Sequence, residues 1–401
     1  MPLGIHLPID PESTCSRRLR LRADSRRASG RARQGGLPRR IASLVAVCQI
    51  EEMLPQNEIN LIYRVLDANF NRAVEGLRAV EEYFRFILES RSVTTQIKEL
   101  RHEICVTCQA WIDIWTGQRD SNADVGATIA ATDEYDRSEL KDLVAANLSR
   151  VNQALRTLEE YSKAACPEIA KPLELARYRF YELEKVVKRS LYADLALAKK
   201  TIYVLTSACD SLVSFEQRIQ KLCLAGADLI QLREKNVDDG ELLERAKSAV
   251  RICRDHPTMF LVNDRPDIAL MAQADGVHVG QEEFLVADLR KILPYEMIVG
   301  VSTHSLEQAR QAVKDGADYI GVGPTFPSST KCFKEFTGVQ LLQEVATQVS
   351  IPCFAIGGIA PENINLVAEA GFSRVAVSGA VHQSESPEKI IRQLKNALGK
   401  S

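Results

Sequence analysis

Arg233 and Lys235, in the run Gln231-Leu232-Arg233-Glu234-Lys235, follow a short apolar stretch, and Lys331 stands behind Ser328, Ser329 and Thr330. Gathered at one opening, these cations would be satisfied by a diphosphate or another polyanion, since a guanidinium fork and an ammonium both match phosphate oxygens. Asp264 and Glu283, with Asn263 and Gln281 beside them, form an oxygen-rich pair. Such a pair suits a hard divalent ion that keeps several waters and binds substrate phosphates, and magnesium fits that description. Gly357-Gly358 and Val377-Ser378-Gly379 close two further apolar runs, where backbone N–H groups could cradle a second, separate phosphate. Ser328, Ser329 and Thr330 add hydroxyl donors on a long loop, bounded by glycine and proline, that could close over a substrate. The plainer alternatives are ion pairs along a rim for the charges and an ordinary turn for the loop.

These residues need a scaffold that brings distant stretches to one rim. From Lys200 onward, β-rich runs at 202–205, 229–232, 260–262, 276–279, 298–301, 319–322, 354–356 and 375–377 alternate with amphipathic helical stretches. Strands that each lead into a helix at this spacing predict an α/β fold, a parallel (β/α)8 TIM barrel over residues 196–401. The active site of such a barrel lies at the C-terminal ends of its strands, where the residues above stand.

Residues 56–195 have a different texture. Leu66, Phe70, Ala73, Leu77, Val80 and Phe84 draw an apolar stripe down one helix face. Ala68-Asn69, Arg72, Leu77-Arg78 and Glu81-Glu82-Tyr83 recur 78 residues later as Ala146-Asn147, Arg150, Leu155-Arg156 and Glu159-Glu160-Tyr161. A second helical segment follows each copy, with Pro167 and Pro172 read as lying between helices. The unit is a duplicated helical hairpin, and two hairpins make a four-helix bundle. Local ion pairing of Arg78 and Arg156 with the glutamates three and four residues on accounts for part of the motif. Asn69, Arg72, Asn147 and Arg150 could alternatively line a polar pocket for an anion.

Composition narrows the function classes. Over 401 residues, Lys+Arg 51 against Asp+Glu 53 leaves a net charge of -2, which gives no general attraction to nucleic acid. Apolar runs such as 41–48 are far shorter than the roughly 18 residues of a membrane span, so no membrane partner is expected. Ten scattered cysteines point to reduced thiols in a cytoplasmic setting, and Cys105 and Cys108 have no second pair to complete a zinc site. Residues 1–55 carry ten arginines and no lysine without sustained periodicity. They read as a disordered extension, be it a targeting peptide, a basic tail or the product of an upstream start. Small-molecule substrates are the expected partners, with self-association into a homo-oligomer left open.

The ordered motifs QLREK (231–235), ND (263–264), DGVHVGQE (275–282), GVSTHS (300–305), GVGPTFPSSTK (321–331), AIGGI (355–359) and VAVSGA (375–380) resemble those of the thiamine phosphate synthase family. That family joins 4-amino-5-hydroxymethyl-2-methylpyrimidine diphosphate to a thiazole phosphate with Mg2+, releasing pyrophosphate and forming thiamine phosphate. By the resemblance, Gln231, Arg233, Lys235, Asn263, Ser302 and Lys331 would hold the pyrimidine diphosphate, with Leu232 and Glu234 in the same motif. Asp264 and Glu283 would hold magnesium. Ser328, Ser329, Thr330, Gly358, Val377 and Ser378 would hold the thiazole phosphate. The family usually carries aspartate where this chain has Glu283. Arg233, Lys235 and Lys331 would carry the catalysis, and His304 reads as a loop residue because the reaction needs no base.

Two other readings are a thiazole tautomerase, a related family with histidine where this chain has Pro324, and a barrel that binds the phosphate ligand without turnover. Residues 59–192 resemble the helical domain fused ahead of some synthases. That resemblance implies a hydroxymethylpyrimidine-phosphate kinase, but there is no Gly-x-x-x-x-Gly-Lys loop, and a scaffold is the alternative.

Overall fold

The computed structural model describes residues 55–120, 124, 139–327 and 336–399. The N-terminal half of these is helical: α1 (Gln56–Phe86), α2 (Arg91–Cys108), a short α3 (Ile112–Thr116), α4 (Leu140–Ala165) and α5 (Pro167–Leu197). The apolar stripe of α1 is buried as its periodicity requires, with Leu66, Ala73, Val80 and Phe84 fully shielded against the corresponding face of α4 and the second helix of each hairpin. α1 and α4 approach closely at Gly76, where an added Cβ would stand 2.7 Å from Val151 Cγ2. Pro167 and Pro172 both lie inside α5 rather than between helices. Pro167 occupies its first turn, where the missing N–H costs nothing. Among the described residues no helix is long and apolar enough to cross a membrane.

The C-terminal half closes on itself. Strands β1 (Ile202–Thr206), β2 (Leu229–Leu232), β3 (Met259–Asn263), β4 (Gly276–Val279), β5 (Ile298–Thr303), β6 (Tyr319–Val322), β7 (Cys353–Ile356) and β8 (Val375–Val377) pair in parallel and in sequence order into a closed barrel. The expected (β/α)8 architecture is therefore present. Helices α6 (Leu212–Leu224), α7 (Asp239–Arg254), α8 (Pro266–Ala272), α9 (Val286–Ile292), α10 (Leu306–Asp315), α11 (Gly338–Gln348), α12 (Ile364–Glu369), α13 (Gly379–His382) and α14 (Pro387–Leu398) complete the half. β3 and β5 run further than their apolar stretches because polar residues stay in the ladder: Asn263 pairs with His278, Ser302 with Gly321 and Thr303 with Val322.

Side chains alternate along each strand, and the two faces build two cores. Val204, Ile230, Leu232, Val262, Val279, Val301, Val322 and Val377 point outward to the helices. Tyr203, Leu229, Leu261, Ile298, Tyr319, Phe354 and Ala376 fill the interior, and Ala193 and Leu197 of α5 join that same cluster. The last turns of α5 thus plug the floor of the barrel. A domain division at 195/196 falls within this helix.

The floor is charged, and its three aspartates are held by strand N–H groups, while Arg374 Nε, just ahead of β8, is buried with no partner among the described residues. Asp228, Asp275 and Asp318 stand just ahead of β2, β4 and β6. Each accepts a strand N–H through Oδ2: Ile202 N at 2.9 Å, Phe260 N at 2.7 Å and Val299 N at 2.8 Å. Asp318 is also paired with Arg290, and Asp228 with Lys395 at 2.9 Å. A cavity of about 250 Å³ between the helical half and this floor is lined in part by Gln96, Arg189, Arg290 and Asp318, and there both arginines face the Asp318 carboxylate.

Candidate active site

At the opposite rim the inward positions turn polar. Gln231 of β2 and Asn263 of β3 lie two positions after the interior residues Leu229 and Leu261, and His278 of β4 and Ser302 of β5 lie two after the inward Gly276 and Gly300. Gln231, Asn263 and His278 are buried, and Ser302 is half-buried. The alternation also turns the side chains of two expected residues away from the mouth. Leu232 and Val377 point the other way into the sheet–helix core, so only their backbone faces the mouth.

Beneath the rim runs a chain of hydrogen bonds that the motifs did not reveal. Gln231 Nε2 donates to Tyr203 Oη. Tyr203 and Tyr319 hydroxyls lie 3.0 Å apart, Tyr319 Oη is 2.9 Å from His278 Nδ1, and His278 Nε2 is 2.9 Å from Ser302 Oγ. The rings pack edge to face, with centroids of Tyr203 and Tyr319 at 5.9 Å and of Tyr319 and Phe354 at 5.5 Å. Glycine at 300 is obligatory here, because a Cβ would fall 2.0 Å from Tyr319 Cζ. Burial lowers the His278 pKa to about 4 and raises those of Tyr203 and Tyr319, so all three are neutral at neutral pH. Within this hydrogen-bonded series, Gln231 Oε1 is buried with no partner among the described residues. A buried carbonyl left in this state costs about 1–3 kcal/mol unless a ligand supplies a donor.

The loops beyond the strands carry the charges. Asp264 takes a left-handed backbone, φ 60°, and its N–H donates to His278 O at 2.8 Å, so the turn after β3 is tied to β4. Asn263 Nδ2 donates to Asp264 Oδ2 at 2.6 Å, and Lys235 Nζ stands 3.6 Å from the same oxygen. Asp264 Oδ1 has no partner among the described residues. Arg233 donates its backbone N–H to Thr206 O at 2.9 Å, while its half-buried guanidinium has no ion-pair partner among the described residues.

Glu234 differs from its neighbours. Its carboxylate accepts the backbone N–H groups of Ala208 (3.2 Å), Lys235 (2.8 Å) and Asn236 (2.9 Å). Burial pushes its pKa up, but these three donors outweigh that and hold it below the ordinary range. Glu234, expected among the substrate contacts, ties the β2 loop to the β1 loop. Glu283 is exposed on the loop after β4, and neighbouring Gln281 donates to Ser302 O at 2.6 Å.

The glycine-rich rim is tightly packed. Gly358 has φ 62°, and a Cβ there would meet Pro327 O at 2.3 Å. The glycine therefore lets the β7 loop lie against the β6 loop, a structural demand beside the phosphate-cradling one expected. Ser378 Oγ donates to Leu205 O at 3.0 Å. His304 contacts Gly323 O through Nδ1, tying the β5 loop to β6. Ser328, Ser329, Thr330 and Lys331 lie outside the described residues. The structure thus gathers Gln231, Arg233, Asn263 and Ser302 around one mouth, with Lys235 and Asp264 paired beside them. Tyr203, His278 and Tyr319 are the participants that motif reading missed. Their only signal was a polar or aromatic residue at an inward position of an otherwise apolar strand.

Known proteins agree with this picture along both halves. The family described as thiamine monophosphate synthase matches residues 202–381, and the ThiD2 family matches residues 64–186. A thiamine-phosphate synthase of Rhodopirellula baltica is 41% identical over 334 residues, covering 81% of this chain and 89% of that protein. One from Synechocystis sp. is 39% identical over 339 residues, covering 84% of this chain and 97% of its own length. A solved thiamine phosphate pyrophosphorylase from Pyrococcus furiosus overlaps 52% of this chain and 98% of its own, at 32% identity and TM-score 0.44. With about two fifths of the aligned residues identical over more than four fifths of its length, the chain belongs to the thiamine-phosphate synthase family.

Proposed function

We propose that the mouth of the barrel joins 4-amino-5-hydroxymethyl-2-methylpyrimidine diphosphate to a thiazole phosphate, releasing pyrophosphate and forming thiamine phosphate. The observation that carries this reading is a rim of uncommitted polar groups, Gln231 Oε1, the Arg233 guanidinium and Asp264 Oδ1, in a chain of that family. Arg233 and Lys235, with Lys331, neutralise the departing diphosphate, and the aminopyrimidine ring delocalises the positive charge left on its methylene carbon. The thiazole nitrogen then forms the new C–N bond as the C–O bond to diphosphate breaks. Positioning and electrostatics suffice, and no protein nucleophile takes part.

Asp264 and Glu283 would hold Mg2+. Both are carboxylates on the loops that follow adjacent strands, and the assignment is supported at Asp264, where Asn263 donates to Oδ2 and Oδ1 has no partner among the described residues. When bound, the ion neutralises diphosphate charge. Residues 196–401 carry this chemistry in the cytoplasm, as free thiols suggest. Residues 56–195 serve as a scaffold, a role supported by the seating of Ala193 in the barrel floor, which Leu197 at the end of the same helix shares.

Pyrophosphate release by the full chain, with each substrate and Mg2+ supplied or withheld, tests the reading. Release that requires both substrates and matches thiamine phosphate formed is expected. No release with all three present would overturn it.

A further inference from the structure

The buried chain beneath the mouth has a direction, and the direction has a consequence for substrate choice. An amide nitrogen can only donate, so Tyr203 Oη accepts from Gln231 Nε2, and the buried proton of Tyr203 finds an acceptor only if it goes onward to Tyr319 Oη, 3.0 Å away. Tyr319 then donates to His278 Nδ1 at 2.9 Å, which leaves the single proton of the neutral imidazole on Nε2. That proton goes to Ser302 Oγ at 2.9 Å, so the serine's own proton is free to point into the mouth. Each group holds one proton, and fixing the first link fixes every other.

We infer that Tyr203, Tyr319 and His278 are positioning residues that hold the Gln231 amide with its oxygen toward the substrate, so that the mouth selects a ring bearing an amino group over the same ring bearing an oxo group. The inference rests on the function proposed above and names the feature of the pyrimidine that is read. An exocyclic amine gives Gln231 Oε1 the donor it lacks. A carbonyl in its place sets two acceptors against each other. Reversing the whole chain would turn the amide over and offer N–H to the substrate, which favours the oxo ring. Polarity of the chain, and not the presence of glutamine alone, makes the choice. Sites that read one polar group in this way reject the mismatched analogue strongly, here by at least about a hundredfold.

Tyr319→Phe separates these possibilities while keeping the ring that fills the space over Gly300. Without Tyr319 Oη, the Tyr203 proton has lost its acceptor and finds a new one in Gln231 Oε1 if the amide turns over. The measurement is pyrophosphate release, with thiazole phosphate and Mg2+, from 4-amino- and from 4-oxo-5-hydroxymethyl-2-methylpyrimidine diphosphate. The ratio of their kcat/KM values should fall at least about tenfold in the variant. Equal losses for both substrates, leaving the ratio unchanged, would show a merely structural role and overturn the inference. If Tyr319→Phe does not fold, Tyr203→Phe removes the hydroxyl that the amide nitrogen holds, and the same ratio decides. A wild-type chain that turns over neither substrate defeats the proposed function itself, and this inference with it.

Discussion

The helical half and the barrel mouth both bury polar groups and settle most of them differently, although Trp115 Nε1 of the helical half is also buried with no partner among the described residues. In the helical half, Glu81 is 3% exposed and meets Arg101 Nε at 2.9 Å, while Glu159 is 4% exposed and meets Arg177 Nε at 2.6 Å. Arg78 and Arg156 add a second contact to each, at 3.3 and 3.1 Å. The repeated arginine–glutamate motif is therefore the inner lock of each hairpin, closed by an arginine from the partner helix. Asn69 and Asn147 likewise bond to carbonyls of their own helices, at 2.8 Å each, while Arg72 and Arg150 are exposed. At the mouth, by contrast, a glutamine oxygen, a guanidinium and a carboxylate oxygen are left over among the described residues. Satisfied burial builds structure, and unsatisfied burial at a rim marks the place where a ligand completes the set.

The sharpest way to break that contrast is to remove groups from each side. Asp264→Ala and Lys331→Ala should each lower kcat/KM by about 10²–10³ with little change in unfolding free energy, because these residues serve the substrate and not the fold. Near-normal rates in both would dissolve the contrast from the barrel side. Arg177→Leu should do the reverse. It strips Glu159 of its strongest partner in a buried setting and should cost about 3 kcal/mol in urea denaturation, while the protein that remains folded keeps its kcat.

The smallest effect is in acid. Burial pushes the Glu159 pKa up, but Arg177, Lys163 and Arg156 outweigh it and hold the pKa below the ordinary glutamate value. A carboxylate with a lowered folded pKa contributes stability that is whole above its unfolded pKa, roughly 4.3, and is lost as pH falls through the folded value. Unfolding curves taken from about pH 6 to pH 3 should therefore fall less steeply for Glu159→Gln than for the wild-type chain. Parallel curves would mean the lock does not bear on stability.

How much of this was written in one dimension depends on the distance between partners. The apolar stripe of α1, the repeat and the alternation of strand with helix are short-range patterns. They were enough to expect a helical bundle followed by a (β/α)8 barrel. Cations and carboxylates after strands could be read too, since the strand ends of a barrel share one rim. Their neighbours were harder. Asn263 and Ser302, expected just beyond strands, belong to them, because ladder pairing with His278 and Gly321 overrides their polarity. The arginines that close the hairpins also fell outside the repeat: Arg101 lies 20 residues after Glu81, but Arg177 only 18 after Glu159.

Sequence by itself determined the periods, and through them the number of strands, the two textures of the chain and the residues facing a common rim. Only tertiary closure decided which inward side chains touch. Tyr203 and Tyr319 stand 116 residues apart, and Tyr319 and His278 41 apart, in strands whose runs read simply as apolar. Hydrogen bonds inside a barrel are made across its circumference, and no periodicity along one strand reports what the opposite strand presents. The polarity of that inner chain, and with it the face that Gln231 turns to a substrate, exists only once β1, β2, β4, β5 and β6 have closed.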